Sequence, residues 1–194
     1  MRQLIIILIL VLAGCGQTQQ KYSEQSWFAL PEFINVITKN MADRKPAVLK
    51  TFVLNSVSES RPFSSTDTSF WRKELAILAK IDLNSAQFRD AIEFTGSKPD
   101  ELSNLLIDEF RIVGAKESAL KKVRIYYLEN TKEVRQVQIE LCKSNLIADS
   151  EKSIKLWLNR YNKKLLVDSL KVSGREKTLM QPVREYHSTT KTEW

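Results

Sequence analysis

Ser153-Ile154-Lys155-Leu156-Trp157-Leu158-Asn159 is the stretch on which the fold turns. Ile154, Leu156 and Leu158 alternate with Ser153, Lys155, Trp157 and Asn159. A period of two matches a β-strand with one buried face, because successive side chains point to opposite sides of the pleat. Val137, Ile139 and Leu141 alternate in the same way with Gln138, Glu140 and Cys142. Leu166, Leu170 and Val172 share a face broken only by Asp168. Working outward, strands are expected over residues 106–113, 122–128, 134–142, 153–159, 165–172 and 178–189. Glu129-Asn130-Thr131-Lys132, Asn159-Arg160-Tyr161-Asn162 and Ser173-Gly174-Arg175 read as the turns between them. Short strands at this spacing imply an antiparallel meander of about five or six strands, apolar on one face and polar on the other.

The half of the chain before these strands has a different rhythm. Pro31 suits the first turn of a helix, and Leu30, Phe33, Ile34, Ile37 and Met41 follow as an amphipathic stripe that ends at Asp43-Arg44-Lys45-Pro46. Val48, Phe52 and Leu54 nearly alternate, yet Val48 and Phe52 also lie one helical turn apart; a strand or extended segment is expected there. The run Ser64-Ser65-Thr66-Asp67-Thr68-Ser69 is rich in helix-capping residues. A helix over 69–80 should place Trp71, Leu75, Leu78 and Asp82 on one face and Phe70, Glu74, Ile77 and Ile81 on the next. Residues 85–95 fit a short helix or a strand, and Gly96-Ser97-Lys98-Pro99-Asp100 fits a turn. The expected fold is α+β, with N-terminal helices packed on one face of a C-terminal antiparallel meander.

The first fifteen residues carry a separate message. Arg2 precedes the apolar run Leu4 to Leu12, which ends in Ala13-Gly14-Cys15. Nine helical residues rise roughly 14 Å, against a hydrocarbon core of about 30 Å. The run therefore suits an export signal and not a permanent span. Leu12-Ala13-Gly14-Cys15 resembles the lipobox of bacterial lipoproteins, which implies cleavage before Cys15 and attachment of acyl chains to it. The plainer alternative is an ordinary signal cut elsewhere, with Cys15 an incidental thiol. The expected organisation is a signal peptide over 1–14, a polar tether over 15–26 and one domain over 27–194. In lipoproteins of this kind an Asp after the lipidated Cys favours the inner membrane. Gly16 stands there instead, so the resemblance implies the outer membrane. In the lipoproteins this chain resembles, acidic residues near the anchor accompany display on the cell surface; residues 16–21 have none, so the resemblance implies a periplasm-facing domain.

The apolar fraction of 43% is ordinary for a chain that buries a core. The formal charge is +7, and loss of Arg2 with the leader leaves +6. Such an excess suits an anionic envelope component, although a solvated basic surface is the simpler reading. No Lys/Arg cluster with interleaved aromatics points to nucleic acid. With Cys15 acylated, Cys142 would have no disulfide partner.

Residues for catalysis are scarce. His187 is the only histidine, so no zinc pattern can be assembled, and no glycine-rich phosphate loop or Gly-x-Ser-x-Gly elbow occurs. Cys142 and His187 are conceivable as a nucleophile and base, but a semi-buried thiol and a solvated imidazole are the simpler reading. Glu59, Glu74, Asp82, Asp108 and Glu109 would have to converge across a cleft to form a carboxylate pair. Adjacent Asp108 and Glu109 should point to opposite faces of a strand. No catalytic, metal or cofactor site is therefore expected.

Lys50-Thr51-Phe52-Val53-Leu54-Asn55, Glu59, Trp71-Arg72-Lys73-Glu74-Leu75 and Asp82-Leu83-Asn84 resemble a pattern of uncharacterised Bacteroidota lipoproteins. That pattern has Asp-Ile-Asn where Leu83 stands here, and often a turn glycine where Ser56-Val57 stand. The resemblance implies architecture and location but no activity. Physically the same residues read as a packing unit: Trp71 and Leu75 bury, and Glu74 beside them needs a partner, for which Lys50 is suited. A ligand-facing polar cluster is the alternative.

The expectation is thus a lipid-anchored envelope lipoprotein with a non-enzymatic binding or scaffolding domain. Its partners would be membrane lipid through Cys15, and another envelope protein or an anionic component. A carrier of a lipophilic ligand is the alternative, with Tyr126 and Trp157 lining a concave surface. An envelope hydrolase comes third.

Overall fold

The computed structural model describes residues 26–114 and 118–193. The leader, Cys15 and all but the last residue of the tether lie outside them. Helix α1 (Leu30–Arg44) is followed by strands β1 (Ala47–Leu54) and β2 (Val57–Phe63). Helices α2 (Thr68–Glu74) and α3 (Ala76–Ala79) come next, then a single 3₁₀ turn at Ala86–Phe88. The chain ends in β3 (Ile92–Pro99), β4 (Leu105–Ile112), β5 (Leu120–Leu128), β6 (Val134–Ser144), β7 (Ala148–Tyr161), β8 (Lys164–Thr178) and β9 (Gln181–Glu193). All nine strands form one antiparallel sheet in the order β2-β1-β9-β8-β7-β6-β5-β4-β3.

This corrects the α+β expectation. The protein is mainly β, and its sheet has nine strands where five or six were expected. The helices do not precede the sheet either, because β1 and β2 lie between α1 and α2 and β1 pairs with the last strand, β9. The strands that sequence reading overlooked (β2) or left open between helix and strand (β3) lack the signal it uses. Every residue of β2 before Phe63 is exposed, and so is all of β3 after Ile92. Gly96 to Pro99 belong to β3 instead of a turn; an edge strand tolerates a proline, and a register shift between Thr95 and Lys98 absorbs Ser97 at φ 54°. Ser173-Gly174-Arg175 likewise continues β8. Glycine at 174 leaves room for the Tyr186 ring, which lies where a Cβ would stand and would have to swing aside for any larger residue.

The central strands follow the alternation closely. Ile154, Leu156 and Leu158 on β7 and Val137 and Ile139 on β6 are buried. So are Val123 and Ile125 on β5 and Leu166, Val167 and Leu170 on β8. The α1 stripe packs on this face with Leu30, Ile34, Ile37 and Met41 all buried, while Phe33 lies partly buried at its margin. Pro31 starts α1, and Lys45 closes it in the left-handed region, its N–H donating to the Met41 carbonyl. The expected helix over 69–80 is broken at Leu75 into α2 and α3, which still send Trp71, Leu75 and Leu78 into the core. Asp67 caps α2 by accepting from the Phe70 N–H at 2.8 Å. At the β7–β8 irregularity after Trp157 the Val167 N–H donates to the Met41 sulfur at 3.1 Å. Helix and sheet are thereby tied at one point by a polar bond within the apolar layer.

Candidate functional site

Helices cover one face of the sheet, and the other face carries the polar side chains. Pairing register places the residues in rows. Ile107, Tyr126, Gln136, Trp157, Ser169 and Lys191 form one row across β4 to β9. The neighbouring row is Glu109, Arg124, Gln138, Lys155, Lys171 and Thr189. Tyr126 and Trp157 stand two strands apart, about 10 Å along the sheet. Lys171 Nζ lies over the Trp157 ring, 5.4 Å from its centroid. The Tyr126 hydroxyl donates to Gln138 Oε1 at 3.3 Å, and burial raises its pKa.

The two halves of this face differ in how their charges are matched. Towards β4, Glu109 accepts from Arg124 Nε at 2.6 Å and from Arg111 at 2.9 Å. Glu140 lies 3.3 Å from Lys122 and 3.5 Å from Arg124. Around Trp157, Lys155, Lys171 and Lys191 form no ion pair with a carboxylate among the described residues. The result is a basic surface built round an indole ring, able to take an anionic or planar polar group. Further along the strands a shallow depression of about 470 Å³ includes Glu140, Cys142, Glu151, Ser153, Arg175 and His187 among its lining residues.

Burial alone would raise the Glu109 carboxyl, but the bonds and charge of Arg124 and the bond from Arg111 outweigh it and hold it below the usual Glu range. A depressed folded value contributes stability that is present above the unfolded pKa, about 4.3, and is lost as pH falls through the folded value. NMR titration should therefore find Glu109 ionising below the exposed glutamates. In Arg124→Leu the same resonance should titrate upward, because burial then dominates. An unchanged midpoint would mean that Arg124 does not set the charge on this face.

The residues singled out in the sequence are mostly dispersed. Cys142 and His187 edge the same depression but stand on β6 and β9, three strand spacings or about 14 Å apart along the sheet; they do not form a dyad. Glu59 is exposed on β2 and bonds to Arg61 at 2.7 Å. Asp82 accepts from the Asn84 N–H at 2.9 Å. Asp108 and Glu109 do lie on opposite faces: Asp108 pairs in register with buried Ile125 and accepts from the Tyr127 hydroxyl at 3.0 Å, whereas Glu109 pairs with Arg124. No two of these carboxylates share a partner.

Lys50 and Glu74 meet. Lys50 Nζ bonds to Glu74 Oε1, and Thr190 Oγ1 donates to Glu74 Oε2 at 2.8 Å, so both oxygens are satisfied. The pair joins α2 to β1 and β9 and works as a clamp between helix layer and sheet. Sequence reasoning paired Lys50 with Glu74 and missed Thr190, which lies 116 residues away. It also missed the unmatched lysines round Trp157. Only the register reveals them, since Lys155, Lys171 and Lys191 come from three different strands. Among the described residues no group of three His, Cys, Asp or Glu side chains is arranged to hold a metal, and no helix is long and apolar enough to cross a membrane. No family model, curated protein or solved structure matches the chain.

Proposed function

We propose that this chain is an envelope lipoprotein, held in the outer membrane by acyl chains on Cys15 and facing the periplasm. Its domain binds an anionic envelope component on the uncovered face of the sheet, without catalysis. The observation that carries the binding assignment is the trio Lys155, Lys171 and Lys191 around Trp157, which is left without carboxylate partners. Desolvating such charges is favourable only when something anionic covers them, and an aromatic ring beside them adds a flat contact surface. The carrier alternative has less support, because the helix stripe Leu30, Ile34, Ile37 and Met41 packs directly on the buried strand residues. The five carboxylates considered for hydrolysis each have separate partners.

Two measurements test the proposal. Cys15→Ser should release the protein from the membrane fraction or leave the precursor uncleaved; if neither happens, the anchor is wrong. Lys155→Ala, Lys171→Ala and Lys191→Ala combined should elute from a dextran sulfate column at lower salt than the parent, with an unchanged unfolding midpoint. Equal retention would remove this face as the binding surface.

A further inference from the structure

Two turns of the sheet differ in kind from the rest, including from the polar β1–β2 turn Asn55-Ser56 at their own end. At one end β7–β8 turns through Asn162 and Lys163, both at positive φ, and β5–β6 turns through Glu129-Asn130-Thr131-Lys132. That end has polar turn chemistry, with Leu102 its exposed apolar exception. At the opposite end β6–β7 turns through Asn145-Leu146-Ile147 and β8–β9 through Leu179-Met180. Leu146, Ile147, Leu179 and Met180 are 95%, 69%, 76% and 96% exposed. Leu179 and Met180 both keep negative φ, so the backbone tolerates them, but the turn itself gains nothing from two bulky apolar side chains held in water.

These tips are built, and they stand clear of the core. The Asn145 side chain accepts from the Ile147 and Ala148 N–H groups at 2.9 and 2.8 Å, and the Leu179 N–H donates to the Ile147 carbonyl at 3.1 Å, which locks the two turns together. From Glu140, level with the end of β4, to Ser144, strand β6 runs on by four residues, about 13 Å. This extension is polar on both sides. Cys142, Glu151, Arg175 and Glu185 share one row, and Lys143, Ser150, Glu176 and Arg184 share the next. The tip residues therefore crown a hydrophilic shaft and are not stray members of the core.

We infer that the paired β6–β7 and β8–β9 tips insert into the lipid interface of the membrane. Adjacent exposed aliphatic side chains of this size mark an interaction site. Protein contact sites favour Trp, Tyr and Arg, whereas the tips offer only aliphatic side chains and a thioether, which gain from acyl chains without needing a shaped pocket. Reach supports the same occupant. Trp27 packs against Phe94 and edge-on against Phe110, and Phe110 is level with Ile139 through Val123. Counting strand rise and strand spacing, the β6–β7 tip is then about 25 Å away and the β8–β9 tip about 30 Å. Twelve Cα-to-Cα steps separate Cys15 from Trp27 and span at most about 43 Å, so an anchor at Cys15 and the tips can touch one bilayer. The inference rests on the proposed anchor for that proximity.

The test uses full-length protein reconstituted into phosphatidylcholine vesicles. Cys142→Ser with Met180→Cys is labelled with a nitrobenzoxadiazole probe, and Cys142→Ser with Asn162→Cys reports the opposite rim. The expected result is blue-shifted emission at 180 that doxyl-labelled lipid quenches, with neither effect at 162; Leu146→Cys should repeat the response at 180. Flotation with an unresponsive probe at 180 overturns the tip proposal and leaves the anchor standing. A blue shift that lipid does not quench means a protein neighbour and also overturns it. If Cys15→Ser protein still floats with the 180 probe quenched, the anchor falls and the tips stand. If the chain fails to float with Cys15 intact, both fall.

Discussion

Trp71→Ala should lower the unfolding free energy by about 4 kcal/mol, the range for a large aromatic removed from a core. Trp71 is fully buried and among the largest side chains in the core. Its ring meets Phe70 edge-on at 5.2 Å, and Phe70 in turn packs on Phe63 at 5.1 Å. The indole is also a polar fixture. Nε1 donates to Thr66 Oγ1 at 2.9 Å, and the Thr66 hydroxyl donates to the Pro46 carbonyl at 3.0 Å. The capping loop before α2 is thereby tied to the entry of β1. Alanine would remove the volume and leave Thr66 without its donor. Trp71→Phe keeps most of the apolar surface and should cost less, about 1–2 kcal/mol for the lost hydrogen bond and the space left by the smaller ring. A domain of this size has about 5–15 kcal/mol in total, so the alanine variant should unfold at a much lower urea concentration, as followed by circular dichroism. A loss below about 2 kcal/mol would mean that the helix layer closes over the vacancy and that Trp71 is not its anchor.

The fold was legible in the sequence where an element buries one face, and illegible where it buries none. β7 and α1 carry full stripes because each meets the core along its length. β2 and β3 are edge strands whose side chains face solvent on both sides, so no alternation appears in Val57 to Phe63 or Glu93 to Pro99. The last strand, expected over 178–189, runs on to Glu193, and its end hides for another reason: the buried positions there are Thr190 and Thr192, which satisfy their hydroxyls on Glu74 and on the Val167 and Asp168 carbonyls. Threonine there reads as polar although the position is core. The meander was recognised from its centre, while its edges and its closure on β1 needed the register. The candidate site divides in the same way. Tyr126 and Trp157 stand out in the sequence as aromatics on a polar face, but whether a lysine has a carboxylate partner depends on which strands are neighbours.

The clamp of Lys50, Glu74 and Thr190 gives the second large effect, and it separates a packing role from a ligand role for the motif residues. Glu74 retains 11% of its side-chain exposure and Lys50 34%. Glu74→Ala leaves a partly buried ammonium and a buried hydroxyl without their acceptor. Removing one partner of a buried pair costs about 3–5 kcal/mol, and the exposure of Lys50 brings the expectation to about 3 kcal/mol. Lys50→Met strands the carboxylate with Thr190 alone and should cost about 2 kcal/mol. The two losses should not add. Lys50→Met, Glu74→Leu and Thr190→Val together replace the polar cluster with apolar groups of similar bulk, and that exchange tends to be neutral. The triple variant should lie within about 1 kcal/mol of the parent, above either single variant. Urea unfolding of the three proteins decides the matter. If the single losses simply sum in the combined variant, the residues are not coupled and the clamp is a crowding of side chains. If both single variants unfold where the parent does, the cluster does not hold α2 to the sheet, and its charges are free to face a ligand. The expected non-additivity assigns them to the fold, which leaves the lysines around Trp157 as the surface to probe for binding.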